Sequence, residues 1–150
     1  MPIPNLSIRA AEAGDLPALL SLYRELNPAD PVIDAALAEA RFAAILGHQG
    51  MTTLIGLAGE TPAASVTLIV VPNLTRNGAP YAVIENVVTA AAYRKRGYAG
   101  ALIRHAIAAA WQAGCYKVML LTGSKEPATL RFYEDCGFIQ DKTGFQIRRP

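Results

Sequence analysis

Three runs rich in β-branched and aliphatic residues follow one another with short breaks: Met51–Gly59 (MTTLIGLAG), Ala64–Val71 (ASVTLIVV) and Tyr81–Thr89 (YAVIENVVT). Bounded by Glu60–Pro62 and by the turn formers of Pro72–Pro80 (PNLTRNGAP), these runs read as strands. The third is apolar on both faces, as expected of a central strand. A sheet therefore occupies the middle of the chain, and the flanking segments must cover it. Leu6–Ala11 (LSIRAA) reads as a short first strand. Asp15 then caps a helix with Pro17 in its first turn and Leu16, Leu19, Leu20, Tyr23 and Leu26 on one face. Asp30-Pro31 opens a second helix, which Gly47 closes.

After the third run the period changes. Leu102, Ile103, Ala106, Ile107, Ala110 and Trp111 form an apolar stripe at helical spacing over Tyr98–Ala113, and Gly114 stops it. Tyr116–Thr122 (YKVMLLT) reads as a buried strand. Pro127 starts a short helix that Gly137 ends, with Phe138 set for the hydrophobic contact of a C-cap. Gly144–Arg149 (GFQIRR) reads as a last strand. The order is β-α-α-β-β-β-α-β-α-β: an α/β chain whose mixed sheet carries helices on its faces.

At 150 residues, with no linker or repeat, positions 1–150 form a single domain. A net charge of +2 is too small for a dedicated nucleic-acid binder. Cys115 and Cys136 make no C-x-x-C pair and lie near neither His48 nor His105 in sequence, so no metal site is expected. The N-terminus lacks a signal-peptide pattern, and the most apolar window, Ala101–Leu121, is broken by Arg104, His105 and Lys117. These features read as a cytoplasmic protein with reduced thiols and no membrane span.

The strand-to-helix junction Tyr93–Ala101 (YRKRGYAGA) concentrates the chain's charge and flexibility. A helix start carries unpaired N–H groups and the positive end of the dipole, which suits phosphate oxygens. Gly97 and Gly100 let backbone approach a ligand closely, and Arg94, Lys95 and Arg96 add positive charge. The junction reads as a pyrophosphate cradle. It has neither the G-x-x-x-x-G-K-[ST] nor the G-x-G-x-x-G pattern. Arg94–Ala99 instead has R-x-x-G-x-A, between ENVVT before it and YKVMLLT and Phe132–Phe138 (FYEDCGF) after it.

Together these motifs resemble the GNAT family of acetyl-CoA-dependent N-acetyltransferases over Tyr81–Arg149, and the first 80 residues match it in element order. The resemblance implies that acetyl-CoA is the cosubstrate, with no metal. Arg94, Lys95, Arg96, Gly97, Tyr98 and Ala99 would hold its pyrophosphate, with Gly100 and Ala101 extending the helix start. Val87, Val88 and Thr89 would pair through their backbone with the pantetheine arm, whose amides suit strand-like bonding. Within the family, GCYKVML, FYEDCGF, FQIRR and the VIEN at Val83–Asn86 look most like glucosamine-6-phosphate N-acetyltransferases, which implies a homodimer built through the C-terminal strand. Where that branch carries an aspartate, this chain has Leu121 followed by Thr122, and its loop Thr122–Leu130 is longer.

Two residues carry the candidate chemistry. The family places the tyrosine of F-Y-E-x-x-G-F, here Tyr133, as the acid that protonates the departing thiolate. A tyrosine near 10 and a thiol near 8.5 leave full transfer uphill by roughly 2 kcal/mol, so a hydrogen bond that becomes a transfer is reasonable acid behaviour. Packing on the sheet is the alternative for that ring. Glu85 interrupts the apolar third run. Partly desolvated there it could take a proton from the incoming ammonium during direct attack on the thioester, or it could be a solvated carboxylate on an uncovered face. His48 and His105 read as surface residues, and Cys115, Cys136 and Trp111 as core.

The acceptor is read as a small-molecule primary amine, an amino sugar among the options. A protein lysine or N-terminal amine is the alternative acceptor. Two non-enzyme readings remain: GYAG flanked by RKR satisfies the GXXG loop of KH domains, and a non-catalytic acyl-CoA sensor would keep the cradle. A KH loop joins two helices, however, whereas a strand-like run precedes this one.

Overall fold

The computed structural model describes residues 2–150. Strands β1 (Leu6–Ala10), β2 (Met51–Ala58), β3 (Thr61–Val71), β4 (Tyr81–Thr89) and β5 (Val118–Met119) form one sheet in that spatial order. β1 to β4 are antiparallel neighbours, and β5 runs parallel to β4. A parallel return needs a crossover, and helix α3 (Tyr98–Gln112) supplies it. Helices α1 (Leu16–Leu26) and α2 (Ala35–Gly47) precede β2, and α4 (Pro127–Asp135) follows β5. Between β3 and β4, Thr75–Gly78 makes one turn with Arg76 and Asn77 at positive φ. Among the described residues, no helix is long and apolar enough to cross a membrane.

The side-chain alternation of the strands splits the core in two. Leu54, Val66, Ala82 and Ile84 meet Leu102, Ile103, Ala106 and Ala110 of α3 on one face. Ile55 and Leu57 meet Leu19 of α1 and Phe42 of α2 on the other. Gly56 fixes how closely α3 approaches, because a Cβ there would stand 2.6 Å from Leu102 Cδ1. Arg9 of β1 forms a bidentate pair with Asp15 at 2.7 and 3.0 Å, which pins the start of α1. That pairing, opposed by burial, holds the Asp15 carboxyl below its ordinary range.

Several boundaries fall as expected. Asp15 is the N-cap of α1, α3 begins at Tyr98, and α4 runs from Pro127. Gly137 and Phe138 close α4 by donating to the carbonyls of Glu134 and Tyr133, a Schellman pair. Other expectations are corrected. α2 opens at Asp34, rather than at Asp30-Pro31, because the Asp34 carboxylate supplies the cap bond by accepting from Leu37 N. Leu22, not Leu20, is the buried leucine of that α1 turn. Trp111 is 53% exposed, because it lies about 100° beyond Ala110 on the helix and off the sheet-facing side. The stretch Tyr116–Thr122 yields a strand of only two residues, with Met119 42% and Leu121 71% exposed, since nothing in the described chain pairs its outer edge. Gly144–Arg149 forms no strand at all and is exposed along its length.

Candidate active site

β4 is irregular at its midpoint. Thr67 pairs with Glu85 and Ser65 with Val88, so the single residue Val66 faces both Asn86 and Val87. Asn86 takes up the extra residue with φ of 52°. This is a β-bulge, which leaves one residue outside the ladder and re-aims its neighbours. On the other side of β4, β5 pairs only with Ala82 and Val83. From Ile84 to Thr89 that edge is not covered by β5, so the backbone of Val87, Val88 and Thr89 is offered to a ligand on one side.

Past Thr89 the chain makes a 3-10 turn (Ala91–Tyr93) and then the cradle. Arg94 Nε donates to the Thr89 carbonyl at 3.1 Å, and the Arg96 guanidinium lies 5.6 Å from the centre of the Tyr93 ring. Tyr93 in turn packs edge-on against buried Tyr98 at 5.7 Å. Lys95 has φ of 61° and Gly97 φ of 85°. The first α3 hydrogen bond runs from Ala101 N to Gly97 O, and no side chain caps the helix. The N–H groups of Tyr98, Ala99 and Gly100 therefore lack intrahelical partners. Arg94, Lys95 and Arg96 are all exposed around them.

Tyr133 projects from α4, half-buried, with ring centres of Phe132 and Phe138 at 5.0 and 6.2 Å. It packs against the α3-side core together with Val87. Burial, reinforced by Cys136, raises the Tyr133 phenol above its ordinary range, so it keeps its proton. Glu85 belongs to the other face. Thr53 lies two residues before Ile55 on β2 and pairs with Thr67, which pairs with Glu85, so the three share the α1–α2 side. Thr53 and Thr67 are buried, but Glu85 is exposed, and the partial desolvation expected of it is not found. His48 and His105 are exposed, Cys115 is buried and Cys136 half-buried.

Three features of this site were not anticipated. The bulge at Asn86 depends on counting partner residues across β3, which no single run reveals. Glu25 of α1 reaches over 66 positions to accept from Ala91 N at 3.3 Å through both oxygens, tying α1 to the entrance of the cradle. Arg104 folds back along α3 so that its Nη1 stands 3.3 Å from where a Cβ of Gly100 would be. Its signal was present in the sequence: a side chain four residues on leans towards the helix N-terminus.

A sequence model of the acetyltransferase (GNAT) family matches residues 19–138. A glucosamine 6-phosphate N-acetyltransferase of Trypanosoma brucei brucei is 33% identical over 138 residues, covering 91% of this chain and 90% of that one. A glucosamine 6-phosphate N-acetyltransferase 1 of Oryza sativa subsp. japonica is 32% identical, covering 89% and 81%. A solved protein of Agrobacterium tumefaciens str. C58 superposes with a TM-score of 0.92 at 56% identity, over 95% of this chain and 99% of that one. The family match spans β2 to β5, α3 and Tyr133, and the chain belongs to the GNAT family of acetyltransferases.

Proposed function

We propose that this acetyltransferase moves an acetyl group from acetyl-CoA to the primary amine of a small molecule of the amino-sugar class. The observation that carries the reading is the continuity of β4: a bulged half with one open edge leads directly into an uncapped helix start. Bound acetyl-CoA would supply the activated acetyl group as a thioester. The backbone of Val87–Thr89 would hold its amide-bearing arm, and the free N–H groups of Tyr98, Ala99 and Gly100 its pyrophosphate, with Ala101 closing the first turn beneath and Arg94, Lys95 and Arg96 around them. Tyr133 would hold its proton towards the departing sulfur. Because burial raises the phenol, it works as a hydrogen-bond donor that completes transfer only as the C–S bond breaks. Glu85, on the opposite face, would receive the proton of the ammonium, directly or through water. Leu121 cannot share that task, having no acceptor atom.

The amino-sugar class is supported by the relatives named for glucosamine 6-phosphate. Glucosamine 6-phosphate, glucosamine and a lysine peptide should be compared by release of CoA thiol. Turnover of either sugar well above the peptide is expected; turnover of the peptide alone would overturn the acceptor class.

The working enzyme is a homodimer in the cytoplasm. Phe145 is 91% and Ile147 97% exposed, on an extended tail that passes exposed Leu121 at Gly144. Apolar extended chain beside an unpaired strand edge suits the same elements of a second copy. Two free cysteines agree with a reducing compartment. Sedimentation should give a dimer at micromolar concentration, and a stable monomer would contradict it.

A further inference from the structure

A cation outside the motif Arg94–Ala99 also lies against the first turn of α3. Arg94 spends its Nε on the Thr89 carbonyl, and Arg96 lies over Tyr93. Arg104 lies elsewhere: its Nη1, Nη2 and Cζ stand 3.3, 3.4 and 3.6 Å from the Cβ position of Gly100. The guanidinium thus lies against Gly100 in the first turn of α3, and a Cβ at 100 would press it back by a few tenths of an ångström. No carboxylate forms an ion pair with Arg104 among the described residues. An open cavity of about 440 Å³ flanks it, lined also by Ile3, Leu6, Ile8 and Ala101.

We propose that Arg104 is a specificity residue for the cofactor, donating to one of its phosphate groups from above the first turn of α3. This rests on the reading of that turn as the cofactor's phosphate site. A planar guanidinium offers parallel donors to phosphate oxygens, which suits it to telling a phosphorylated cofactor from a shorter thioester. Coenzyme A offers two sources of that chemistry, its pyrophosphate and its 3′-phosphate.

Calorimetric titration of the full chain at low ionic strength, with CoA and with 3′-dephospho-CoA, tests the proposal. Arg104→Gln should weaken CoA about tenfold or more, and Arg104→Lys, which keeps charge but not the fork, should recover part of the loss. A loss for CoA but not for dephospho-CoA assigns the contact to the 3′-phosphate. The same loss for both assigns it to the pyrophosphate. Thermal melts should match the wild type, because Arg104 is exposed; if Gln lowers the melting point, the Lys variant carries the comparison. Wild-type affinity for both ligands in the Gln variant would overturn the proposal. Failure of the wild-type chain to bind either would instead sink the phosphate-site reading, and Arg104 with it.

Discussion

The two halves of β4 belong to one strand and have different fates. Tyr81–Ile84 is laddered to β3, and its Ala82 and Val83 are laddered to β5 as well. Ala82 is 0% and Ile84 1% exposed. Glu85–Thr89 keeps β3 on one side, with a bulge, and is not met by β5 on the other. Both halves hold β-branched residues, Val83 and Ile84 in one and Val87, Val88 and Thr89 in the other, so these residues alone do not separate them. What separates them is the number of partner strands: a backbone paired on both edges is structure, whereas one paired on a single edge retains hydrogen bonds to give.

Substitutions should therefore sort by half. The largest effect is expected beside the open half. Tyr133→Phe keeps the ring packed on Phe132 and Phe138 but removes its proton, and kcat should fall by about 10²–10⁴ with CoA affinity unchanged. In the wild type, the raised phenol should put the alkaline loss of rate above the ordinary tyrosine value, since the acid form persists there. Steady-state rates across pH check both statements, and an unchanged kcat would assign the acid to another group.

Next comes the paired half. Ile84→Ala should cost about 2–5 kcal/mol of stability by opening a cavity against α3, while the folded fraction binds CoA normally. Denaturant unfolding together with calorimetry measures the two effects separately; a large loss of affinity without loss of stability would erase the distinction between the halves. Gly97→Asp acts past the open end. It forces a side chain onto φ of 85°, 3.2 Å from Ile3 Cδ1, and adds negative charge, so CoA should bind more than about tenfold weaker. Unchanged affinity would remove phosphate from that turn.

The smallest effect belongs to Glu85, at the boundary between the halves. Because its carboxylate is exposed, Glu85→Gln should slow turnover by only about tenfold at neutral pH, below the usual range for a buried base. The rate should recover towards high pH as free amine accumulates. An equal loss at every pH would make Glu85 a residue that positions substrate.

What could be read in advance follows from the range of the interaction. Helix ends are local, and so the starts of α1, α3 and α4 and the Gly137–Phe138 pair were legible, although the Asp15 carboxylate accepts from Arg9 and Glu12 N and makes no cap bond to α1. The R-x-x-G-x-A turn was legible for the same reason. The bulge at Asn86 needs a count across β3, and the open edge needs the length of β5; both are tertiary facts. Asp30-Pro31 matched a local helix-start pattern, but the cap bond that starts α2 comes from Asp34, four residues later. The strand read over Gly144–Arg149 is not formed, because a strand requires an edge to join and none within the described chain receives it.

Amide hydrogen exchange with and without CoA tests the division of β4 most directly, because it reads each backbone donor. Saturating CoA should slow exchange at one or more amides of Val87–Thr89 and at the helix start Tyr98–Gly100. The amides of Ala82 and Val83, already bonded in the ladder, should show little local change beyond any general stabilisation. Protection confined to the helix start, with Val87–Thr89 exchanging as in the free protein, would contradict the claim that the open half of β4 is the cofactor's strand partner.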